Sequence, residues 1–161
     1  MPLNSEIVIS DTSCLILLAK IGELDLLRRI GKRVLVTPEI KQEFGMSLPD
    51  WIIVKEPADR HFQNLLEREV DKGEASAIIL ALETFGSVLL IDDLKGRRVA
   101  FDLGLKHSGT FGLILRAKQE GLIKSIQPII EKIRNTNFRF SEQLLRSVLD
   151  QAGELNSRSS E

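Results

Sequence analysis

The sequence predicts an α/β fold, a three-layer α/β/α sandwich around a central, mostly parallel sheet. Short β-branched or apolar runs alternate with segments of helical period, the pattern of βαβ units. The strongest run, Ser87-Val88-Leu89-Leu90-Ile91, is almost wholly apolar, as a central parallel strand covered on both faces must be. Capping residues stand directly after two of these runs, so strand passes into helix with little loop between.

Taken in order, Ile7-Val8-Ile9-Ser10 is the first strand, and Asp11-Thr12-Ser13 suits the start of a helix. That helix runs through Leu15, Leu18 and Ala19, breaks near Gly22 and resumes with Leu24, Leu26 and Leu27. Arg33 to Val36 is the second strand; Thr37-Pro38 then supplies an N-cap and a first-turn proline for a helix from Glu39 to Phe44, ended by Gly45. Trp51 to Val54, bracketed by Pro49 and Pro57, reads as a short strand or an apolar connection. Phe62, Leu65, Leu66 and Val70 recur at helical spacing within 59–70, an amphipathic helix.

Gly73 separates that helix from a more apolar one, Glu74 to Phe85, ended by Gly86. After the strand at 87–91 come a helix from Lys95 to Leu103, a short strand near Leu105 to His107, and helices over Thr110–Glu120 and Ile126–Arg134. Ser141 to Ala152 is a last amphipathic helix. One domain over 1–152 is the expectation, with 153–161 a polar, non-periodic tail expected to fray.

With 43% hydrophobic and 28% charged residues, the composition is globular rather than disordered. A single cysteine, Cys14, excludes an internal disulfide and, lying in Ser13-Cys14-Leu15-Ile16-Leu17-Leu18, reads as a small buried hydrophobe. No signal-like start and no membrane-length apolar run is present, so cytoplasm is the expected compartment. A net charge of −1 argues against a protein that coats nucleic acid, and any attraction to phosphate must be local.

In open α/β sheets, ligand crevices lie beyond the carboxyl ends of the strands. Asp11 follows the first strand and Asp92-Asp93 follow the strongest, so neighbouring strands would bring these acids to one edge. Glu43 and Glu74 are placed to reach the same edge. Crowded carboxylates repel and raise each other's pKa, and a hard divalent cation, Mg²⁺ or Mn²⁺, is the natural counterion where no Cys/His cluster favours zinc. Each acid has a simpler reading too: Asp11 as a helix cap, Glu43 as a solvated residue, Glu74 as a first-turn anion, Asp92-Asp93 as a turn.

Three segments, Val8-Ile9-Ser10-Asp11-Thr12-Ser13, Lys72-Gly73-Glu74-Ala75-Ser76-Ala77-Ile78 and Leu90-Ile91-Asp92-Asp93, stand in an order that resembles the PIN-domain superfamily. More narrowly, Gly96-Arg97-Arg98-Val99-Ala100, Leu103-Gly104-Leu105 and Ser108-Gly109-Thr110-Phe111-Gly112 resemble the prokaryotic PIN-like group related to VapC toxins. The resemblance covers roughly residues 5 to 152 and implies a PIN-like sandwich. It also implies a metal-dependent endoribonuclease, often the toxin of a toxin-antitoxin pair whose antitoxin protein blocks the acidic cleft, and commonly a homodimer.

On this likeness Asp11, Glu43 and Glu74 match the first three acids, and the fourth is Asp92 or Asp93. The expected metal ligands are Asp11, Glu74, Asp92 and Asp93. Thr12 and Ser13 are candidates for orienting a ligand, and Lys95, Arg97, Arg98 and Thr110 for holding phosphate. Two rival readings stand beside this one: a PIN-like binding module that does not cleave, and an aspartyl phosphatase or phosphoacceptor. Asp11-Thr12-Ser13 weighs against the latter, since it lacks a second Asp two residues on. His61 and His107 fall on unrelated segments, so a metal-free histidine pair is set aside.

Overall fold

The computed structural model describes residues 6–155. They form two compact units, one ending at Thr110 and the other beginning at Phe111. The first contains β1 (Ile7–Ser10), α1 (Thr12–Lys20), α2 (Leu26–Ile30), β2 (Arg33–Val36), α3 (Pro38–Phe44), β3 (Ile52–Val54), α4 (Arg60–Leu66), α5 (Lys72–Leu82), β4 (Ser87–Leu90), α6 (Leu94–Asp102) and β5 (His107–Ser108). The expected α/β architecture is present.

The five strands form one sheet in the order β3-β2-β1-β4-β5, every neighbouring pair parallel. Strand order reverses about β1, so β1 and β4 are direct neighbours, with Ile7 to Ser10 in register with Ser87 to Leu90. Val8, Ile9 and Leu89 are fully buried, as central strands covered on both faces require. The stretch 51–54, ambiguous between strand and connection in the sequence, is the edge strand β3 beside β2.

Most helix starts follow the cap chemistry. Asp11, Thr37 and Asp59 each accept a hydrogen bond from the backbone three residues on, at 2.8, 3.2 and 3.0 Å. Gly45 ends α3 at φ 71, a left-handed position that favours glycine.

Several boundaries differ from the sequence reading, and α5 ends at Leu82 rather than Phe85. Helix α5 begins at Lys72 because Asp71 caps it, accepting from the Glu74 N–H at 2.8 Å; Gly73 therefore lies inside the first turn rather than between two helices. Helix α4 stops at Leu66, and turns carry the chain from there to Asp71. Strand β5 is His107–Ser108, shifted towards the C-terminus to pair with Leu89 and Leu90.

Helix α7 (Thr110–Gln119) starts on the last residue of the first unit; α8 (Gln127–Arg134) and α9 (Glu142–Gln151) belong to the second. Within that unit Phe111 meets Phe138 and Phe140 edge to face, with centroids 6.2 and 5.1 Å away. Glu154, which the sequence places in a fraying tail, is instead anchored: its carboxylate accepts from Lys118 Nζ and the Ile126 N–H, both at 2.8 Å, and from the Ser125 hydroxyl. The rest of the expected tail, residues 156–161, lies outside the described residues. No helix among the described residues is long and apolar enough to cross a membrane.

Candidate functional site

The parallel pairing of β1 with β4 fixes where the acids meet. Beyond Ser10 the chain stays in register, so the Asp11 N–H donates to Leu90 O at 2.9 Å and the next residues on both strands leave the sheet together. Asp11 turns inward and is 2% exposed. Its Oδ1 accepts from the Cys14 N–H at 2.8 Å and its Oδ2 from the Asp92 N–H at 3.3 Å. Burial, reinforced by repulsion from Asp92 and Asp71, raises its pKa to about 7, against the pull of those two N–H groups.

Glu74 sits in the first turn of α5, directed at the start of α6: a Cβ placed on Gly96 would lie 3.1 Å from its Oε2. Partial burial, then the neighbouring carboxylates of Asp71, Asp93 and Asp11, raise it to about 8. Glu43, on α3, reaches across to α5, where a Cβ on Gly73 would fall 1.9 Å from its Oε1. Glu43 is exposed as a residue, yet its pKa is also raised, by partial burial of the carboxyl and then by Asp71, with the Thr12 hydroxyl and Glu39 acting in opposite directions. Thr12 Oγ1 is near enough to influence Glu43 electrostatically, yet it is buried without a hydrogen bond of proper geometry.

The structure separates the two neighbouring aspartates. Asp92 faces Asp11, and both its oxygens are engaged by Thr110, from the backbone N–H at 2.8 Å and the hydroxyl at 2.6 Å. Thr110, a candidate for binding a foreign anion through its N–H, thus serves a carboxylate of the chain itself. Asp93 faces Glu74 and caps α6, its Oδ2 accepting from the Gly96 N–H at 3.1 Å.

One member of the cluster is absent from the sequence reading. Asp71 is the N-cap of α5 and repels Asp11, Glu43 and Glu74 alike, which places it among the other acids. Its signal is Asp71-Lys72-Gly73-Glu74, the Asp form of a capping box, with an acceptor at the cap and an acid three residues on.

The remaining candidates divide. Arg97 brings Nη1 to within 3.3 Å of where a Gly109 Cβ would stand, beside Asp92. Lys95 and Arg98 instead line a separate pocket with Arg68, Glu69 and Val99. Ser13 is exposed at the start of α1. Of the histidines, His61 is on exposed α4 surface, and His107 Nδ1 pairs with Leu105 O at 3.0 Å.

As placed, no three His, Cys, Asp or Glu side chains among the described residues stand around one point in a finished metal cage. The donor set nevertheless fits a hard divalent cation: six carboxylates supply only oxygen, and no cation is among the main influences on Asp11, Glu43 or Glu74. Gly73, Gly96 and Gly109 leave room where a Cβ would crowd Glu43, Glu74 and Asp92, at 1.9, 3.1 and 2.7 Å.

No match is found among curated proteins. A family model described as PIN domain matches residues 7–154, a span running from β1 to the Glu154 anchor and including every acid of the cluster. PIN domains are generally nucleases, typically with divalent metals. With strand order, acidic edge and family model in agreement over nearly the whole chain, the protein belongs to the PIN-domain family.

Proposed function

We propose that the protein is a Mg²⁺- or Mn²⁺-dependent endoribonuclease that hydrolyses RNA phosphodiester bonds. The reading rests chiefly on one observation: carboxylates from β1, α3, α5 and the β4–α6 junction gather at one sheet edge, with burial and mutual repulsion raising Asp11 to about 7 and Glu74 to about 8. Asp11, Glu74, Asp92 and Asp93 would hold the ion, and Glu43 would complete the catalytic acids. A divalent ion bound there supplies a Lewis acid that acidifies water and offsets charge on the leaving oxygen. Each oxygen of Asp11 already accepts one backbone N–H, so Asp11 would hold the ion through the acceptor capacity left on its two oxygens. The Thr110 clamp fixes Asp92, and the Asp93 cap fixes the start of α6.

The same reading extends to biology: a VapC-like toxin of the cytoplasm, restrained by an antitoxin protein and active as a homodimer. One observation favours the rival reading of a silent binding module, namely that Thr110 already engages both oxygens of Asp92.

Incubation of a mixed RNA pool with Mg²⁺ or Mn²⁺ decides between them, using wild type, Asp11→Asn and Glu74→Gln. The nuclease should cleave internally, and either substitution should remove most of that activity. Equal trace activity in all three proteins, or none in wild type, gives the case to the binding module.

A further inference from the structure

We infer that the pocket lined by Arg68, Glu69, Lys95, Arg98 and Val99 is a phosphate subsite that grips a single-stranded RNA beside the acidic cluster. This rests on the nuclease reading for its biological sense, but its own observations are separate.

The pocket draws on two stretches of chain. Arg68 and Glu69 lie in the turns after α4, while Lys95 and Arg98 stand three residues apart on α6 and so share one face. Three cations face one acid, a local charge of +2 on a chain whose net charge is −1. None of the four charged side chains forms an ion pair with any other described residue, although Arg28, Arg60, Lys106, Lys118 and Arg134 all do. All four charged residues are exposed, so the cations make no contribution to the fold through ion pairs and their donors are open to an anion from solution. Two guanidinium groups and an ammonium group suit phosphate oxygens, the guanidinium as a two-pronged donor.

Both walls lead into the acidic cluster. Three residues after Arg68 comes Asp71, and two residues before Lys95 comes Asp93. At about 1.5 Å of rise per residue, Arg98 lies roughly 8 Å along α6 from Asp93. A strand whose cleaved phosphate meets the acids would therefore have a neighbouring phosphate within reach of the pocket. The carboxylates repel a polyanion, and this adjacent patch supplies the local attraction that the overall charge does not.

The test is equilibrium binding of a short fluorescein-labelled single-stranded RNA of mixed sequence to the full chain in EDTA, followed by anisotropy across a salt series. Removing one cation that neutralises a phosphate should lower the slope of log K against log salt by about 0.7, so Arg68→Ala with Arg98→Ala should lower it by about 1.4. Glu69→Gln, which removes the opposing acid, should tighten binding, a gain that misfolding cannot imitate. In cleavage assays the paired alanine substitutions should act through KM.

An unchanged slope in the double variant, looser binding in Glu69→Gln, or no RNA binding by wild type overturns the assignment. Inorganic phosphate or an acidic peptide competing as well as RNA, at equal charge, overturns it in favour of a free-anion or protein site. The two readings fail independently. A reduced slope without any metal-dependent cleavage leaves the subsite and removes the nuclease, whereas acid-dependent cleavage with an unaltered slope does the reverse.

Discussion

Asp11→Asn should make the metal-free protein more stable at pH 8, although it removes the most buried acid of the site. Asp11 has its carboxyl raised from 3.8 to about 7, so between those values the folded chain holds a proton that the unfolded chain has lost. Folded protein binding more protons means that stability falls as pH rises through that window. At 1.36 kcal/mol per pH unit the full cost of charging Asp11 in the fold is about 4 kcal/mol. Glu74, raised to about 8, extends the decline in the same direction, by less because it is half exposed to screening water. Asparagine keeps an oxygen for the Cys14 N–H but leaves the Asp92 N–H facing an amide nitrogen or unpaired, a loss of about 1–3 kcal/mol. The net gain is then about 1–3 kcal/mol at pH 8 in EDTA, shrinking to nothing or reversing near pH 4. Urea unfolding at several pH values measures it. Mn²⁺ at a hundred times its Kd should stabilise wild type by about 2.7 kcal/mol and the variant far less. Wild-type stability that stays level from pH 4 to 7, or a variant weaker than wild type at pH 8, refutes the reasoning.

Other consequences are local. Glu154 is held near 2 by Lys118, Ser125 and the Ile126 N–H despite its burial, so its stabilisation is present above pH 4.5 and disappears as pH falls towards 2. Glu154→Gln should cost about 2–3 kcal/mol in urea unfolding at pH 7 and almost nothing near pH 2. Gly73→Ala places a methyl where Glu43 Oε1 now sits, and the flexible glutamate end moves rather than the helix. RNA cleavage should fall by roughly a hundredfold through that misplacement while thermal stability holds, as calorimetry can check. Burial pushes the Cys14 thiol up well above its ordinary range, so Ellman's reagent should label it only at the rate of unfolding.

Much of the fold and the site is legible from residue order. The run Ser87 to Ile91 marks a central strand, and the acids after Ser10 and Ile91 mark a functional edge, because a parallel pair of strands delivers whatever follows it to the same place. What sequence cannot supply is the pairing itself, since β1 and β4 are about 80 residues apart and only the sheet order makes them neighbours. Asp92 and Asp93 are indistinguishable in the chain, and the structure sends one to Thr110 and Asp11 and the other to Gly96 and Glu74. Asp71 is hidden in the sequence because Gly73 reads as a break. A glycine in a first turn costs a helix little when a capping aspartate precedes it. Glu154 is misleading on composition: its polar neighbours resemble a tail, while its partners lie about 30 residues upstream.

The cap and ligand readings of these acids, rivals in the sequence, are compatible in the fold. Asp11, Asp71 and Asp93 are the N-caps of α1, α5 and α6, and each gives one oxygen to its own helix, at 2.8, 2.8 and 3.1 Å. A carboxylate has two oxygens and about four acceptor sites, so capping leaves capacity for a cation. Capping also fixes the side chain's direction, which a metal ligand needs and an exposed aspartate lacks. The three helix starts bring their positive dipole ends to the acids, offsetting part of the mutual repulsion, and Arg97 adds a cation beside Asp92. Burial first, and after it the remaining repulsion, still raises the pKa values of Asp11 and Glu74. An edge whose acids are directed by three caps, and whose carboxyls are still pushed towards the protonated form, is one that a cation would relieve.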